Sequence, residues 1–269
     1  MLKDDNNDIG QHQPSQQQQQ NNNEDNDDMS VGDLFLNKSY VKKTLEYFGV
    51  NVNLNVLDSA STDFDLTGQV IWPSAQVLTQ YIIKNQEEYK NKKILEVGSG
   101  VGVCGLFLAK LGQPCTLSDN NEVVLDLLRL NVEESTADGY KCDCIKLDWG
   151  NQEDMDNCLL KSKDNDNSAG GFDMIIGSDI VYWKIGIVPL FKTVSYLLKH
   201  NDENSRFVTC YQSRSTQTDN YLLEQATLHG FEYEFKPIET FLDRSLLTFN
   251  EDSTISIINL IIFKRIKKN

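Results

Sequence analysis

The sequence predicts an α/β fold, in which strands and helices alternate around a mostly parallel sheet. Three stretches carry this prediction, because each combines a short apolar run with a helix-patterned segment. The first is 92–112, KKILEVGSGVGVCGLFLAKLG, the second is 115–135, and the third begins with the apolar run at 172–177. Such alternation is typical of strand–helix–strand units, whose strands are parallel and buried on both faces.

A glycine-rich turn joins the first predicted strand, 94–97, to the first predicted helix, 106–111. Gly98 and Gly100 lie where the backbone must turn sharply and approach a ligand closely. The N–H groups at the helix start would face a polar or anionic group of that ligand. Residues 100–105 also match G-x-G-x-x-G, but this spacing suits dinucleotides, other cofactors and tight packing alike.

An acid, Glu96, stands inside the strand that precedes this turn, and the run 96–102 reads E-V-G-S-G-V-G. This run resembles the first motif of the seven-β-strand, S-adenosylmethionine-dependent methyltransferases. The resemblance implies a Rossmann-like class I fold, a seven-stranded mostly parallel sheet with helices on both faces and an antiparallel last strand. It also implies S-adenosylmethionine as the cofactor, bound by Glu96, Gly98, Ser99 and Gly100.

Two further positions predict cofactor contacts at the ends of the next strands. Asp119 ends the apolar run 115–117, where an acid can bind ribose hydroxyls, although NAD and S-adenosylmethionine both carry a ribose. Asp148 and Trp149 end the third predicted strand, 140–147, where they could hydrogen-bond to a purine and stack on it. In the resembled family this position lies beside the adenine. The alternative for Trp149 is packing on the following helix.

The segment before the glycine turn adds a more specific resemblance. Residues 68–72 predict a β-type run, and Pro73 suits the first turn of the helix that follows. This tryptophan-proline segment resembles that of the lysine methyltransferases called methyltransferase family 16. The resemblance makes Trp72 a candidate cofactor contact, while an ordinary buried tryptophan is the alternative.

The second anchor follows the predicted strand 172–177 and reads S-D-I-V-Y-W. Its D-x-x-Y spacing, Asp179 and Tyr182, is similar to the signature of the family 16 protein lysine methyltransferases. The resemblance implies a protein substrate that presents a lysine, with Asp179 and Tyr182 as catalytic residues and Ser178 beside the cofactor. The alternative for Asp179 is capping of the next helix, which is compatible with a catalytic role.

The chemistry of methyl transfer explains this pair. A lysine amine must be neutral to attack a methyl carbon, and with a pKa of ~10.4 its deprotonation at neutral pH costs ~4–5 kcal/mol. Desolvation between aromatic side chains and a nearby sulfonium both lower that pKa. We therefore expect Asp179 to orient the amine through a hydrogen bond, and Tyr182 and Trp183 to line the lysine channel.

The remaining chain completes the α/β pattern. The spacing predicts the helices and strands at 185–198, 206–211, 221–228, 231–237 and 254–263. The loop 239–252 is expected to approach the substrate. The segment that ends in Arg214 resembles the corresponding family segment, and the role of this arginine stays open.

Length and composition bound the organisation. The 269 residues suit one catalytic domain, which the resemblance places at 33–265. Residues 1–30 are acidic, low in complexity and rich in Asn and Gln, so we expect a disordered tail. The segment 33–67 predicts a hairpin or lid beside the core.

Charge and cysteine usage exclude several classes. A net charge of −15 argues against a nucleic-acid partner, because binding phosphates requires clustered Lys and Arg. The six cysteines are scattered along the chain, which fits reduced thiols in a protein of the cytoplasm, with the nucleus as a second location. No run of residues is apolar enough to span a membrane. Cys142 and Cys144 lack two further zinc ligands, so no metal site is expected.

The alternatives left open are a methyltransferase for arginine or a small molecule, an NAD-dependent oxidoreductase and a non-catalytic interaction module. Composition leaves the oligomeric state undetermined.

Overall fold

The computed structural model describes residues 40–58, 64–136, 139, 141–163, 170–200, 202–249 and 252–267. The predicted tail, 1–30, and the predicted domain start at residue 33 lie outside these ranges. The strands are β1 Val41–Tyr47, β2 Val50–Val56, β3 Ile94–Val97, β4 Cys115–Asp119, β5 Cys142–Lys146, β6 Met174–Ser178, β7 Arg206–Gln212, β8 Phe231–Lys236 and β9 Ile258–Arg265. The α-helices are α1 Pro73–Lys84, α2 Val103–Lys110, α3 Glu122–Thr136, α4 Gln152–Lys161, α5 Lys184–Leu197, α6 Thr216–Leu228 and the short α7 Asp252–Ile255.

Seven of these strands form one sheet in the order β5-β4-β3-β6-β7-β9-β8. The strands β3 to β7 pair in parallel, and Ile94 of β3 lies opposite Cys115 of β4 and Met174 of β6. In this described sheet β9 runs antiparallel to both of its neighbours, β7 and β8. The predicted seven-stranded, mostly parallel sheet is therefore confirmed, and its strand order brings the carboxyl ends of β3 and β6 together.

Two apolar clusters cover the two faces of the sheet. Successive side chains of a strand point to opposite faces, and Ile94 accordingly packs with α1, α2 and α3 while Leu95 packs with α4, α5 and α6. Each helix contributes an apolar face to one cluster, which confirms helices on both faces. In the described residues, no helix is both long enough and apolar enough to cross a bilayer.

The predicted hairpin is present as β1 and β2, which pair antiparallel and are closed by Phe48 and Gly49. Both turn residues have positive φ angles, 51° and 81°, as a type I′ hairpin turn requires. Val52 and Leu54 of β2 are buried in the cluster that contains α2 and α3. The hairpin is therefore attached to the helix layer and lies beside the main sheet.

The β-type run predicted at 68–72 is wrong, because Phe64–Gln69 forms a 3₁₀ helix and residues 70–72 belong to no strand. This segment packs over the glycine turn: a Cβ on Gly100 would lie 2.8 Å from the carbonyl oxygen of Gly68. Pro73 does begin α1 as predicted. A second difference is at 254–263, where α7 occupies the first residues and β9 begins only at Ile258.

Candidate active site

A cavity of about 430 Å³ opens at the carboxyl edge of the sheet, where β3, β4 and β6 end. Ligands of open α/β sheets bind at this edge. Eleven sequence-predicted residues line the cavity, namely Trp72, Gly98, Ser99, Gly100, Asp119, Asp148, Trp149, Ser178, Asp179, Tyr182 and Trp183. The fold thus brings the glycine turn and the D-x-x-Y segment, about 80 residues apart in the chain, to one site.

The glycine turn leaves no room for side chains. Gly98 and Gly100 have φ angles of +61° and +54°, which L side chains rarely adopt. A Cβ on Gly98 would lie 2.8 Å from Ile180 Cγ2 and 3.3 Å from Trp149 Cζ2. Glycine at these positions therefore serves both the turn and the close packing of two cavity-lining side chains.

Asp119 holds this turn from the end of β4. Its carboxylate accepts hydrogen bonds from the backbone N–H of Gly100 at 3.1 Å and of Asn120 at 2.9 Å. Burial raises the pKa of Asp119, and these N–H groups act against that shift. Asp119 also lines the cavity, so its predicted place at the cofactor edge matches the geometry.

Glu96 lies outside the lining of the cavity, unlike the other predicted cofactor residues. Its side chain leaves β3 beneath the glycine turn, where Oε2 accepts a hydrogen bond from the Gly105 N–H at 2.9 Å. The residue is 1% exposed, and burial raises the pKa of its carboxyl to about 8. In this placement Glu96 fastens the start of α2 to β3, and its predicted contact with the cofactor stays a prediction.

Two tryptophans stand on different sides of the cavity. The indole N–H of Trp72 donates to the carbonyl of Thr67 at 3.0 Å, so this ring is anchored at the start of α1. Trp149 packs between the glycine turn and the start of α5, with a Cβ on Gly186 lying 3.8 Å from its ring. Both rings are half-buried. Trp149 both packs on a helix and lines the cavity, so its two predicted alternatives occur together.

Asp179 directly follows β6 and is held by the neighbouring strand. Its Oδ1 accepts a hydrogen bond from the Gln212 N–H at 3.1 Å, and its Oδ2 pairs with Arg214 at 3.2 Å. Burial raises its pKa, while the Gln212 N–H and the Arg214 charge oppose that shift. The capping alternative does not match the structure, because α5 begins at Lys184, five residues later, with Trp183 at the cap position.

An exposed aromatic and aliphatic rim marks the mouth of the cavity. The rings of Tyr182 and Trp183 meet edge to face at 6.2 Å, and their exposed fractions are 40% and 50%. Ile185 is 83% exposed, and all three side chains line the cavity. This arrangement gives an opening beside Asp179 through which a second molecule can reach the site.

Sequence reasoning missed several lining residues. Asn120 and Asn121 directly follow Asp119, so their position could have been inferred from it. Gly68 and Val70 were not predicted as lining residues, because their segment was assigned to a β-type run. Ile185 gave no signal, because a helical pattern alone does not say which face meets solvent.

The lining fits the cofactor that the resemblance implies. The charged side chains that line the cavity in the described residues are all acidic, namely Asp119, Asp148 and Asp179. S-adenosylmethionine carries a cationic sulfonium, which such a site favours, and the volume lies in the usual range for small-molecule sites. No group of three His, Cys, Asp or Glu residues in the described ranges could hold a metal ion.

Three relatives show what the chain is similar to. Over 175 residues it is 27% identical to a protein N-lysine methyltransferase of Danio rerio, covering 60% of this chain and 75% of the relative. Over 150 residues it is 31% identical to a histone-arginine methyltransferase of Xenopus laevis, covering 55% and 58%. Over 142 residues it is 29% identical to a calmodulin-lysine N-methyltransferase of Arabidopsis thaliana, covering 51% and 43%. The match thus spans about half the length of two of these relatives.

A solved structure and a family profile complete the comparison. The 16S rRNA N2 G1207 methyltransferase of T. thermophilus, in complex with AdoMet and guanosine, superposes with a TM-score of 0.54 at 12% identity. That match covers 84% of this chain and 50% of the other, and it shows the fold alone. Residues 51–227 match the profile described as lysine methyltransferase. With two thirds of its length inside that profile, the chain belongs to methyltransferase family 16, the S-adenosylmethionine-dependent lysine methyltransferases.

Proposed function

We propose that this chain transfers a methyl group from S-adenosylmethionine to the side-chain amine of a lysine in a protein substrate. The observation that carries the proposal is the shared cavity of the glycine turn and the Asp179–Tyr182 segment. When bound, the cofactor supplies an electrophilic methyl carbon on a sulfonium. The residues of the chain then have to hold that cofactor, admit an amine and orient it.

The residues that line the cavity indicate which of them would hold the cofactor and which would orient the amine. Gly98, Gly100, Asp119 and Trp149 would hold the cofactor, because they bring backbone N–H groups, a carboxylate and an aromatic face to the cavity. Asp179 would accept a hydrogen bond from the incoming amine and so set its direction. Orientation of this kind lowers a barrier by several kcal/mol without requiring a strong base.

The exposed rim supports a macromolecular acceptor. Tyr182 and Trp183 present large apolar surfaces at the mouth, where the aliphatic stem of a lysine can lie against them. Desolvation between these rings would lower the pKa of the lysine ammonium toward neutrality. The Danio rerio and Arabidopsis thaliana relatives are named for lysine acceptors in proteins.

A protein arginine is the second candidate acceptor. The Xenopus laevis relative, which is named for histone arginine, is as similar to this chain as the lysine enzymes are. An arginine guanidinium would need the same opening and would stack on the same rings. The two candidates therefore differ in the acceptor and share the cofactor site.

One labelling experiment separates these outcomes. The purified chain is incubated with a proteome lysate and S-adenosylmethionine that carries a labelled methyl group, and mass spectrometry locates the label. We expect label on lysine, and its loss with Asp179→Ala while S-adenosylhomocysteine still binds. Label on arginine would favour the second candidate, and binding without any transfer would favour an interaction module.

We also propose that the chain acts in a reducing compartment, the cytoplasm with the nucleus as a second location. All six cysteines are free thiols, which suits such a compartment. Imaging of a fluorescent fusion tests the location directly, and a secreted or vesicular signal would contradict it.

A further inference from the structure

An ion pair joins the segments that follow two neighbouring strands. Asp179 follows β6 and Arg214 follows β7, and the guanidinium Nη2 lies 3.2 Å from Asp179 Oδ2. The Asp179 side chain is 3% exposed and that of Arg214 is 39% exposed. The Gln212 N–H holds the other carboxylate oxygen, so both oxygens of Asp179 are directed from one segment.

The surroundings of Asp179 make Arg214 its counter-charge. Cys210 of β7 also faces this carboxylate, and burial raises its thiol pKa so far that it stays neutral. The hydroxyl of Ser74, in the first turn of α1, is close enough to lower the Asp179 pKa but makes no hydrogen bond within the described residues. Because Arg214 alone brings a positive charge among these groups, the Asp179–Arg214 pair as a whole is neutral.

We propose that Arg214 is a positioning residue that keeps Asp179 an ionised hydrogen-bond acceptor and offsets its charge, so that the acceptor lysine enters as a neutral amine. This inference rests on the proposed function and adds a residue to its site. A buried carboxylate without a counter-charge would either take up a proton or bind an ammonium as an ion pair. In the first state Asp179 no longer accepts a hydrogen bond as a carboxylate. In the second state the lysine nitrogen is protonated and has no lone pair with which to attack.

The guanidinium has a second effect on the acceptor. A neighbouring cation disfavours the protonated form of a lysine and so activates it as a nucleophile. The proton is lost to water before the amine enters the cavity, so no further base is required at the site. Arg214 thus favours the neutral amine from one side, as the cofactor's sulfonium would from the other.

A titration tests the charge coupling without any methyl transfer. The full chain, labelled with ¹³C at the aspartate carboxyls, is titrated by NMR, with Asp179→Asn used to assign the signal. We expect Arg214→Gln to raise the Asp179 midpoint by about one pH unit or more, and Arg214→Lys to raise it less. An unchanged midpoint in Arg214→Gln would overturn the proposal.

Arg206→Gln is the matched control. Arg206 begins the same strand, β7, and pairs with Glu88 at 2.7 Å. Six residues separate it from the carboxyl end of β7, and at a rise of ~3.3 Å per residue this corresponds to roughly 20 Å. This variant removes the same charge from the chain at the opposite edge of the sheet. Its Asp179 midpoint should equal that of the unmodified chain, and an equal shift in both variants would mean a general charge effect and contradict the proposal.

The pH profile of methyl transfer gives the second readout, on the acceptor that labelling identifies. The pH at which the rate rises should move up by about one unit in Arg214→Gln and return partly in Arg214→Lys, while S-adenosylhomocysteine affinity stays within twofold. A loss that is uniform at every pH would indicate a merely structural role and overturn the proposal. If the unmodified chain methylates no lysine, the proposed function itself fails, and the titration still decides the coupling of Arg214 to Asp179.

Discussion

The two halves of the cavity are built in different ways. The half assigned to the cofactor consists of Gly98, Gly100, Asp119 and Trp149, and hydrogen bonds of the backbone hold it in place. The half assigned to the acceptor ends in the exposed side chains of Tyr182, Trp183 and Ile185. Backbone geometry suits a ligand that never changes, whereas exposed side chains suit a surface that selects among acceptors. The difference predicts that substitutions in one half change cofactor affinity and those in the other change acceptor use.

Asp179→Ala gives the largest expected effect and tests the acceptor half at its centre. We expect methyl transfer to fall by at least ~100-fold, because the amine loses the group that directs it. S-adenosylhomocysteine affinity, measured by calorimetry, should change only a few-fold. Full methyl transfer by a folded Asp179→Ala variant would remove the assignment, and a thermal melt checks that the fold persists.

Gly100→Ala tests the cofactor half and should weaken S-adenosylhomocysteine binding by ~10-fold or more. The new Cβ would lie 2.8 Å from the carbonyl of Gly68, so the turn must move. Gly112→Ala is the matched control, since Gly112 also has a positive φ, +77°, but no atom within 4 Å of the added Cβ. Both variants carry ~1–2 kcal/mol of backbone strain, so equal losses of binding would show that strain alone is responsible.

A pair of tryptophan variants compares the halves directly. Trp149→Ala should weaken cofactor binding by roughly tenfold, since stacking on a base contributes ~1–3 kcal/mol. Trp183→Ala should leave cofactor binding unchanged and raise the acceptor KM several-fold, because half of that ring faces solvent at the mouth. Calorimetry and steady-state kinetics separate the two, and the reverse pattern would invert the assignment of the halves.

Glu96→Gln has the smallest expected effect on methyl transfer and instead concerns the pH dependence of stability beneath the cofactor half. Burial raises the Glu96 pKa from its ordinary 4.5 to about 8, so the folded state holds a proton that the unfolded state releases. This stabilisation is complete below about pH 4.5 and is lost as pH rises through about 8. Between these values Glu96 makes the free energy of unfolding fall by up to ~1.4 kcal/mol per pH unit.

The Gln variant cannot titrate and should lose that slope, as denaturant unfolding at several pH values will measure. Below about pH 4.5 its stability should be close to that of the unmodified chain, because the amide resembles the protonated carboxyl in shape, and toward pH 8 the variant should be the more stable of the two. Identical slopes in both proteins would mean that Glu96 is ionised in the folded state throughout this range.

Much of the fold could be predicted because it depends on local patterns. Each of the strands β3, β4 and β6 is a short apolar run, and each is followed by a segment with helical spacing, so neighbouring residues suffice to identify them. The prediction was wrong at 68–72, where the chain follows the surface of the glycine turn. The prediction used only the β-type composition of the side chains. At this position the conformation is instead decided by a contact between backbone atoms of Gly68 and Gly100, which are distant in sequence.

The sequence by itself determined the order of strands and helices, the glycine turn and the D-x-x-Y segment, because each depends on residues that adjoin in the chain. Only the tertiary structure decided that Arg214 pairs with Asp179, that Glu96 lies beneath the turn, and that Ile185 reaches the mouth of the cavity. Asp179 and Arg214 are 35 residues apart and meet because β6 and β7 are neighbours in the sheet. Spacing in one dimension does not encode which strands become neighbours, since burial of the two faces of the whole sheet selects that order.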